Sequence, residues 1–248
     1  MGNSALIGAD FLYLRFHIVK RPVMKTSNTA LLTSTLSLLI LLMLPQHTRA
    51  CTIIAVGKEA SADGSVFISH TDCGADCRIR VVPGQSFEKG SMAGVYWGIQ
   101  DINRPLDDYG EVLGTIPQVE ETYTYFHSAY PHMNEHQLAI AESTTSQREA
   151  MKVDRSVCKQ IMTVEQAQAF ALQRCKTSAE AVRLIGRLMS TYGFLPSCAG
   201  ESETLVIGDP GEIWVFEVFS VGNEWDPDSG EPGAVWAAKR IPDDHALV

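Results

Sequence analysis

Positive charge is scarce in this chain. Twenty Lys and Arg stand against 29 Asp and Glu in 248 residues, a formal net charge of −9. Residues 1–50 hold five of the basic residues (Arg15, Lys20, Arg21, Lys25, Arg49) and one acid (Asp10), so residues 51–248 carry 15 basic against 28 acidic groups, or −13. Such a surface repels a polyanionic phosphate backbone, and no basic stripe or arginine-rich run offsets it, so nucleic acid is excluded as a partner. Other chemistries are missing too. No Gly-x-Gly-x-x-Gly follows a strand-like segment, and there is no Gly-x-Ser-x-Gly elbow and no His-Glu-x-x-His pair. That removes the dinucleotide fingerprint, the serine-hydrolase elbow and zincin-type metal sites. Internal repeats and low-complexity linkers are absent, and residues 51–248 are enough for one domain with a buried core.

A membrane-length apolar run is also lacking. Leu31 to Leu44 is apolar but shorter than the ~20 residues a spanning helix needs. Basic Lys20, Arg21 and Lys25 precede it, and Thr48 and Ala50 lie three and one residues before Cys51. This is the pattern of a cleavable export signal. Met24-Lys25 is a natural start for it, with residues 1–23 as an upstream extension. Position 6 is Leu6, which breaks a myristoylation motif, and Thr48-Arg49 fits lipid attachment poorly. We therefore expect residues 1–50 to be a signal peptide with an N-terminal extension. The expected product is exported to the periplasm or outside, with no stable membrane partner after cleavage.

Cleavage after Ala50 would leave Cys51 at the amino terminus. Its carbon then bears a thiol and a free α-amine, whose ordinary pKa of ~7.7–8.0 makes it a base beside its own nucleophile. Of six cysteines (Cys51, Cys73, Cys77, Cys158, Cys175, Cys198), setting Cys51 aside leaves an odd number, which implies at least one unpaired thiol. His70, Cys73 and Cys77 have partial zinc spacing but no fourth ligand, so a disulfide or simple thiols are expected there. Asp101, Asp107 and Asp108 fit no EF-hand and read as solvated loop charges. No cofactor and no metal are expected.

Elements alternate between hairpins and helices. Cys51–Val56 and Val66–Thr71 read as strands around the turn Ala62-Asp63-Gly64-Ser65, a hairpin that brings Asp72 toward Cys51. His132–His136 reads as a turn and Gln137–Glu142 as a strand. Thr163 with Gln166 resembles a capping box opening a helix to about Cys175. A second helix starts at Ser178, with Val182, Ile185, Leu188 and Tyr192 at helical spacing and Gly193 as its stop. Thr204–Ile207 and Glu212–Phe219 form a hairpin around Asp209-Pro210-Gly211, and Ala234–Lys239 is a last strand. Asp101–Pro117 and Asn223–Gly233 read as loops. The order predicts an α+β layered sandwich.

Four segments in order carry a resemblance: Cys51-Thr52-Ile53-Ile54-Ala55-Val56-Gly57-Lys58 with Asp63-Gly64-Ser65 and Ser69-His70-Thr71-Asp72-Cys73; Met133-Asn134-Glu135-His136 through Ser143; Glu212-Ile213-Trp214-Val215-Phe216-Glu217; and Trp236 through His245. Together these resemble the dipeptidase family of cysteine N-terminal-nucleophile (Ntn) hydrolases, which includes dipeptidase A and secernin-like peptidases, over residues 51–248. The resemblance implies a four-layer αββα sandwich and cleavage of dipeptides or short peptides. It implies Cys51 as nucleophile, Asp72 as the acid that holds the terminal amine, and Asn134 as an oxyanion donor. Family members continue beyond Pro242-Asp243-Asp244-His245, where a further active-site Asn is expected, so the sandwich is expected to be incomplete at the C-terminus. Arg78 and Arg80 are candidates for a substrate carboxylate, or else a solvated strand face. Related penicillin V and bile-salt acylases carry Arg three residues before the acid, where this chain has Ser69. An N-acyl amide hydrolase is thus the alternative within amide cleavage, and an exported, non-catalytic binding protein is the alternative outside it. The sequence sets no oligomeric state.

Overall fold

Apolar residues at alternate positions make β1 (Thr52–Val56), in which Ile53 and Ala55 are buried while Thr52 and Ile54 are exposed. It pairs antiparallel with β2 (Phe67–Thr71), from Thr52 opposite Thr71 to Val56 opposite Phe67. The hairpin expected from the turn residues is therefore present. The computed structural model describes residues 51–71, 78–99, 110–198 and 200–248. A short C-terminal strand, β12 (Ala246–Leu247), pairs with the other edge of β1, giving a three-stranded sheet of order β12-β1-β2.

The larger sheet is built from β3 (Arg80–Val82), β6 (Tyr125–His127), β7 (Pro131–Asn134), β8 (Ala139–Thr145), β9 (Ser202–Gly208), β10 (Ile213–Phe219) and β11 (Val235–Ile241). Its order is β11-β10-β9-β8-β7-β6-β3. A separate hairpin joins β4 (Met92–Trp97) to β5 (Glu111–Pro117) with a bulge at Val95/Tyr96. Every strand pair among the described residues that belongs to these ladders is antiparallel.

Two helices lie between β8 and β9 in the chain: α1 (Val164–Arg174) and α2 (Ser178–Tyr192). Thr163 caps α1, its hydroxyl oxygen accepting from Gln166 N–H. The other half of the expected capping box is not made, because buried Gln166 turns its Oε1 to accept from Tyr96 N–H at 3.0 Å. The complete box belongs to α2, where Thr177 and Glu180 cap each other reciprocally. Gly193 ends that helix at φ +71°, a left-handed value that glycine takes without strain.

Both helices cover one face of the large sheet. Val164, Phe170, Leu172, Ile185, Met189, Leu205, Ile207 and Phe216 form the main core there, each fully buried side chain contributing ~1.5–3 kcal/mol. A smaller cluster of Ile53, Ala55, Ala141, Val206 and Ile213 cements the three-stranded sheet to the opposite face. The α+β class read from the sequence stands. No helix among the described residues is long and apolar enough to cross a membrane.

Two expectations are corrected. Glu111–Pro117, read as loop, is strand β5: Ile116 is buried in the main core, and the turn-rich composition just before it masked the strand. His132–His136, read as a turn, is mostly β7. The turn itself is confined to Glu135 and His136, closed by Gln137 N–H donating to Asn134 O at 3.0 Å, with Gln137 at φ +63°.

Candidate active site

Two residues with the same facing in adjacent strands lie side by side, so the strand registers define what surrounds Cys51. On β8, β9 and β10 the side chains facing β1 come in cross-strand rows. One row is Ala141, Val206 and Val215; the next is Ser143, Thr204 and Glu217; beyond it Thr145 faces Ser202. The first row is apolar and belongs to or packs on the cluster beneath Ile53 and Ala55. The next two carry hydroxyls and a carboxylate. The floor changes from apolar to polar where β1 begins, at Cys51.

Cys51 is tied to this floor. Ser143 Oγ donates to the Cys51 carbonyl at 3.1 Å, and the Cys51 sulfur is a thiol. Thr52 N–H donates to Thr71 Oγ1 at 3.0 Å, which locks the open end of the hairpin. His70, opposite Ile53, places its Nδ1 3.2 Å from both the N and the O of Glu142, pinning the imidazole to the β8 backbone. Thr204 Oγ1 is buried and has no hydrogen-bond partner. The arrangement offers a thiol at a strand start, a fixed backbone carbonyl beside it, and a hydroxyl donor nearby. No group of His, Cys, Asp and Glu among the described residues is placed to hold a metal ion.

Of the other expected site residues, Asn134, Arg78 and Arg80 lie among the described residues. Asp72 follows Thr71 directly in the chain and lies outside the described residues, as do Cys73 and Cys77. Asn134, expected as an oxyanion donor, bonds backbone groups in this structure. It is 3% exposed, and its Nδ2 donates to Leu172 O and Cys175 O, each at 2.9 Å. Its Oδ1 accepts from His136 N–H and Leu138 N–H. Both amide hydrogens are committed, and Leu138 is about 16 Å along the strand from Ser143 at ~3.3 Å per residue. Arg80, expected as a partner for a substrate carboxylate, lies elsewhere in the fold. It pairs with His127 on the helix side of the sheet, across the sheet from Cys51. Arg78 is exposed two residues before it.

Reasoning from the sequence gave no site role to Ser143 or Thr204, and named His70 in a resemblance segment and as one of three residues with partial zinc spacing. The signal for Ser143 was present. In Ala139–Thr145 a β-period of two puts Ser143 on the same face as Ala141, but which face meets Cys51 depends on sheet stacking.

The reverse face of these strands holds three buried acids: Glu142, Glu165 and Glu203, each no more than 1% exposed. Thr144 Oγ1 donates to Glu203 Oε1 at 3.3 Å and Ser197 Oγ donates to Glu165 Oε2 at 2.9 Å. Burial first, then the adjoining Glu142 carboxyl, push Glu203 well above the ordinary 4.5, so Glu203 is protonated in the fold. A raised carboxyl pKa contributes stability that is complete below the unfolded value and is lost as pH rises through the folded one. Glu203→Gln keeps the shape without the titration. We expect its urea midpoint to vary less than that of the unaltered chain between about pH 5 and pH 9, with the gain largest at the alkaline end.

The family model for Peptidase family C69 matches residues 50–248. Among curated proteins, the chain is 24% identical over 203 residues to a probable dipeptidase B of Lactococcus lactis subsp. lactis (strain IL1403), which covers 80% of this chain and 38% of that protein. It is 25% identical over 210 residues to a probable dipeptidase of Latilactobacillus sakei, covering 79% of this chain and 38% of that protein. The chain thus spans well under half the length of these relatives.

Proposed function

The chain belongs to peptidase family C69, and from that premise we propose that it hydrolyses dipeptides or short peptides with Cys51 as its nucleophile. In this reading residues 1–50 direct export and are removed after Ala50. The four-layer αββα Ntn sandwich is the frame we infer for the whole site. The observation that carries the reading is the junction at Cys51, where its carbonyl is held by Ser143 at the edge between an apolar floor and a polar one.

The chemistry follows from those groups. The α-amine of processed Cys51 takes the thiol proton, directly or through one water. The thiolate adds to the scissile carbonyl. Thr204 Oγ–H, buried without a partner, replaces Asn134 as the side-chain donor to the developing oxyanion. The tetrahedral adduct collapses to a thioester as the protonated α-amine returns its proton to the leaving amine. Water, activated by the same amine, then cleaves the thioester and restores the thiol. Asp72 remains our choice for the acid that orients the amine.

A panel of dipeptides against N-acyl amides tests the substrate class. Turnover of dipeptides alone supports this reading; turnover of penicillin V or conjugated bile salts alone replaces it with the acylase one. Mass spectrometry of the secreted chain tests the processing, and any first residue other than Cys51 removes the base.

Ser143→Ala probes the anchor. A neutral hydrogen bond is worth ~1 kcal/mol net, so kcat/KM is expected to fall by about fivefold while the melting temperature moves little. Unchanged kinetics would show that the Cys51 backbone needs no such anchor.

A further inference from the structure

The cross-strand row that holds Cys51 carries a charge. Ser143, which donates to the Cys51 carbonyl, lies opposite Thr204, and Thr204 lies opposite Glu217. Adjacent strands are ~4.8 Å apart, so Glu217 stands roughly 10 Å across the floor from Ser143. Strand side chains alternate with a period of two, which puts Glu217 on the face of Val215. Val215 packs on the cluster beneath Ile53 and Ala55, and Glu217, one row further, is exposed. On β8, β9 and β10 every other side chain turned this way is apolar, a hydroxyl or a glycine hydrogen. Glu201, just before β9, is paired with Lys152 at 2.8 Å. Lys239 of β11 shares the face but stands opposite Val215, one row back. Among the described residues no side chain bonds the Glu217 carboxylate. An exposed glutamate is ordinarily just solvated. This one is the anionic member of the row that fixes the nucleophile, and it faces a floor that β1 leaves uncovered.

We propose that Glu217 selects substrates with a free amino terminus, its carboxylate taking the α-ammonium of a dipeptide or short peptide whose first carbonyl lies at the Cys51 sulfur. The assignment rests on the reading of Cys51 as nucleophile. Lengths are compatible with it. The α-nitrogen lies two bonds, about 2.5 Å, from the first carbonyl carbon, and a charge-assisted N–H···O bond adds ~2.8 Å. The acid therefore has to stand ~5 Å from the reacting carbon. The span from Ser143 to Glu217 leaves room for that, with the nucleophile at one end and the carboxylate reaching back over Thr204 from the other. Acetylating the substrate amine removes its charge and sets a carbonyl oxygen near the carboxylate, so the same residue that attracts a free dipeptide disfavours its N-acyl form.

Calorimetric titration of the processed Cys51→Ala chain measures binding without turnover. The probes are L-leucyl-L-leucine, N-acetyl-L-leucyl-L-leucine and N-acetyl-L-lysyl-L-leucine. We expect the free dipeptide to bind at least about fivefold tighter than its acetylated form, and Glu217→Gln on this background to erase that preference by weakening the free dipeptide alone. Equal affinity of free and acetylated dipeptides, no binding of the free dipeptide, or a folded Glu217→Gln chain with the preference intact would overturn the assignment. So would a lysyl peptide that binds as tightly as the free dipeptide and loses affinity in Glu217→Gln, since the acid would then serve a substrate side chain. Should Glu217→Gln fail to fold, Glu217→Thr, neutral and strand-favouring, takes its place. Hydrolysis by the unaltered chain is followed in parallel. Peptides bound in this Glu217-dependent way but never cleaved would remove the peptidase reading and leave the subsite; cleavage with a preference indifferent to Glu217 would do the reverse.

Discussion

Cys51→Ala is expected to abolish dipeptide hydrolysis, with kcat down on the order of 10⁴-fold or more, while its melting curve overlays that of the unaltered chain. The methyl of Ala leaves the backbone carbonyl of position 51, and hence the bond from Ser143 Oγ, in place. Only the sulfur goes. Cys51→Ser is expected to fall between the two, because its hydroxyl can use the same amine but is a poorer nucleophile. A chain that keeps Ala50 should be as inactive as Cys51→Ala although its thiol is intact, since the nitrogen of position 51 is then an amide with no basic lone pair. This third variant separates the N-terminal mechanism from ordinary thiol catalysis. Hydrolysis surviving in Cys51→Ala would remove the nucleophile, and hydrolysis surviving with Ala50 retained would remove the base.

How much of this was legible in the sequence depends on range. Local signals held. The β1–β2 hairpin followed from its turn residues and alternation, α2 from its spacing and its Gly193 stop, and the β9–β10 hairpin from Asp209-Pro210-Gly211, with Asp209 Oδ1 accepting from Gly211 and Glu212 N–H. Long-range placement was not legible. Arg80 is only a few residues beyond Asp72, yet β3 crosses to the far edge of the large sheet and faces the helices. Strand period alone gives two faces and cannot say which one meets Cys51. The same limit hid Thr204, which reaches the site only because β9 lies beside β8. Asn134 was ambiguous for a chemical reason. One side-chain amide offers two donors and two acceptors, and the sequence cannot tell whether they serve a substrate or the backbone.

The Asn134 assignment gives the second large effect. Asn134→Ala is expected to cost about 3–4 kcal/mol of stability, because four hydrogen bonds of ~1 kcal/mol are lost together in a buried site. Leu172 O and Cys175 O belong to the C-terminal turn and cap of α1, where carbonyls have no intrahelical donor. Nδ2 of Asn134 satisfies both and so fastens the helix end to the β7–β8 turn. For a domain of this size the loss corresponds to a melting temperature lower by about 6–16 °C. An oxyanion donor predicts a different pattern: a kcat fall of ~10²–10³ with stability untouched. Asn134→Asp sharpens the contrast. It keeps the two acceptances from His136 and Leu138 N–H but sets a carboxylate against two carbonyl oxygens. Its pKa in the fold is therefore raised, and the stability deficit should shrink as pH falls and the carboxyl regains a proton that it can donate. Urea midpoints of the three chains, read beside their kcat values, decide between clamp and catalyst. An Asn134→Ala chain as stable as its parent but slow would return Asn134 to the chemistry.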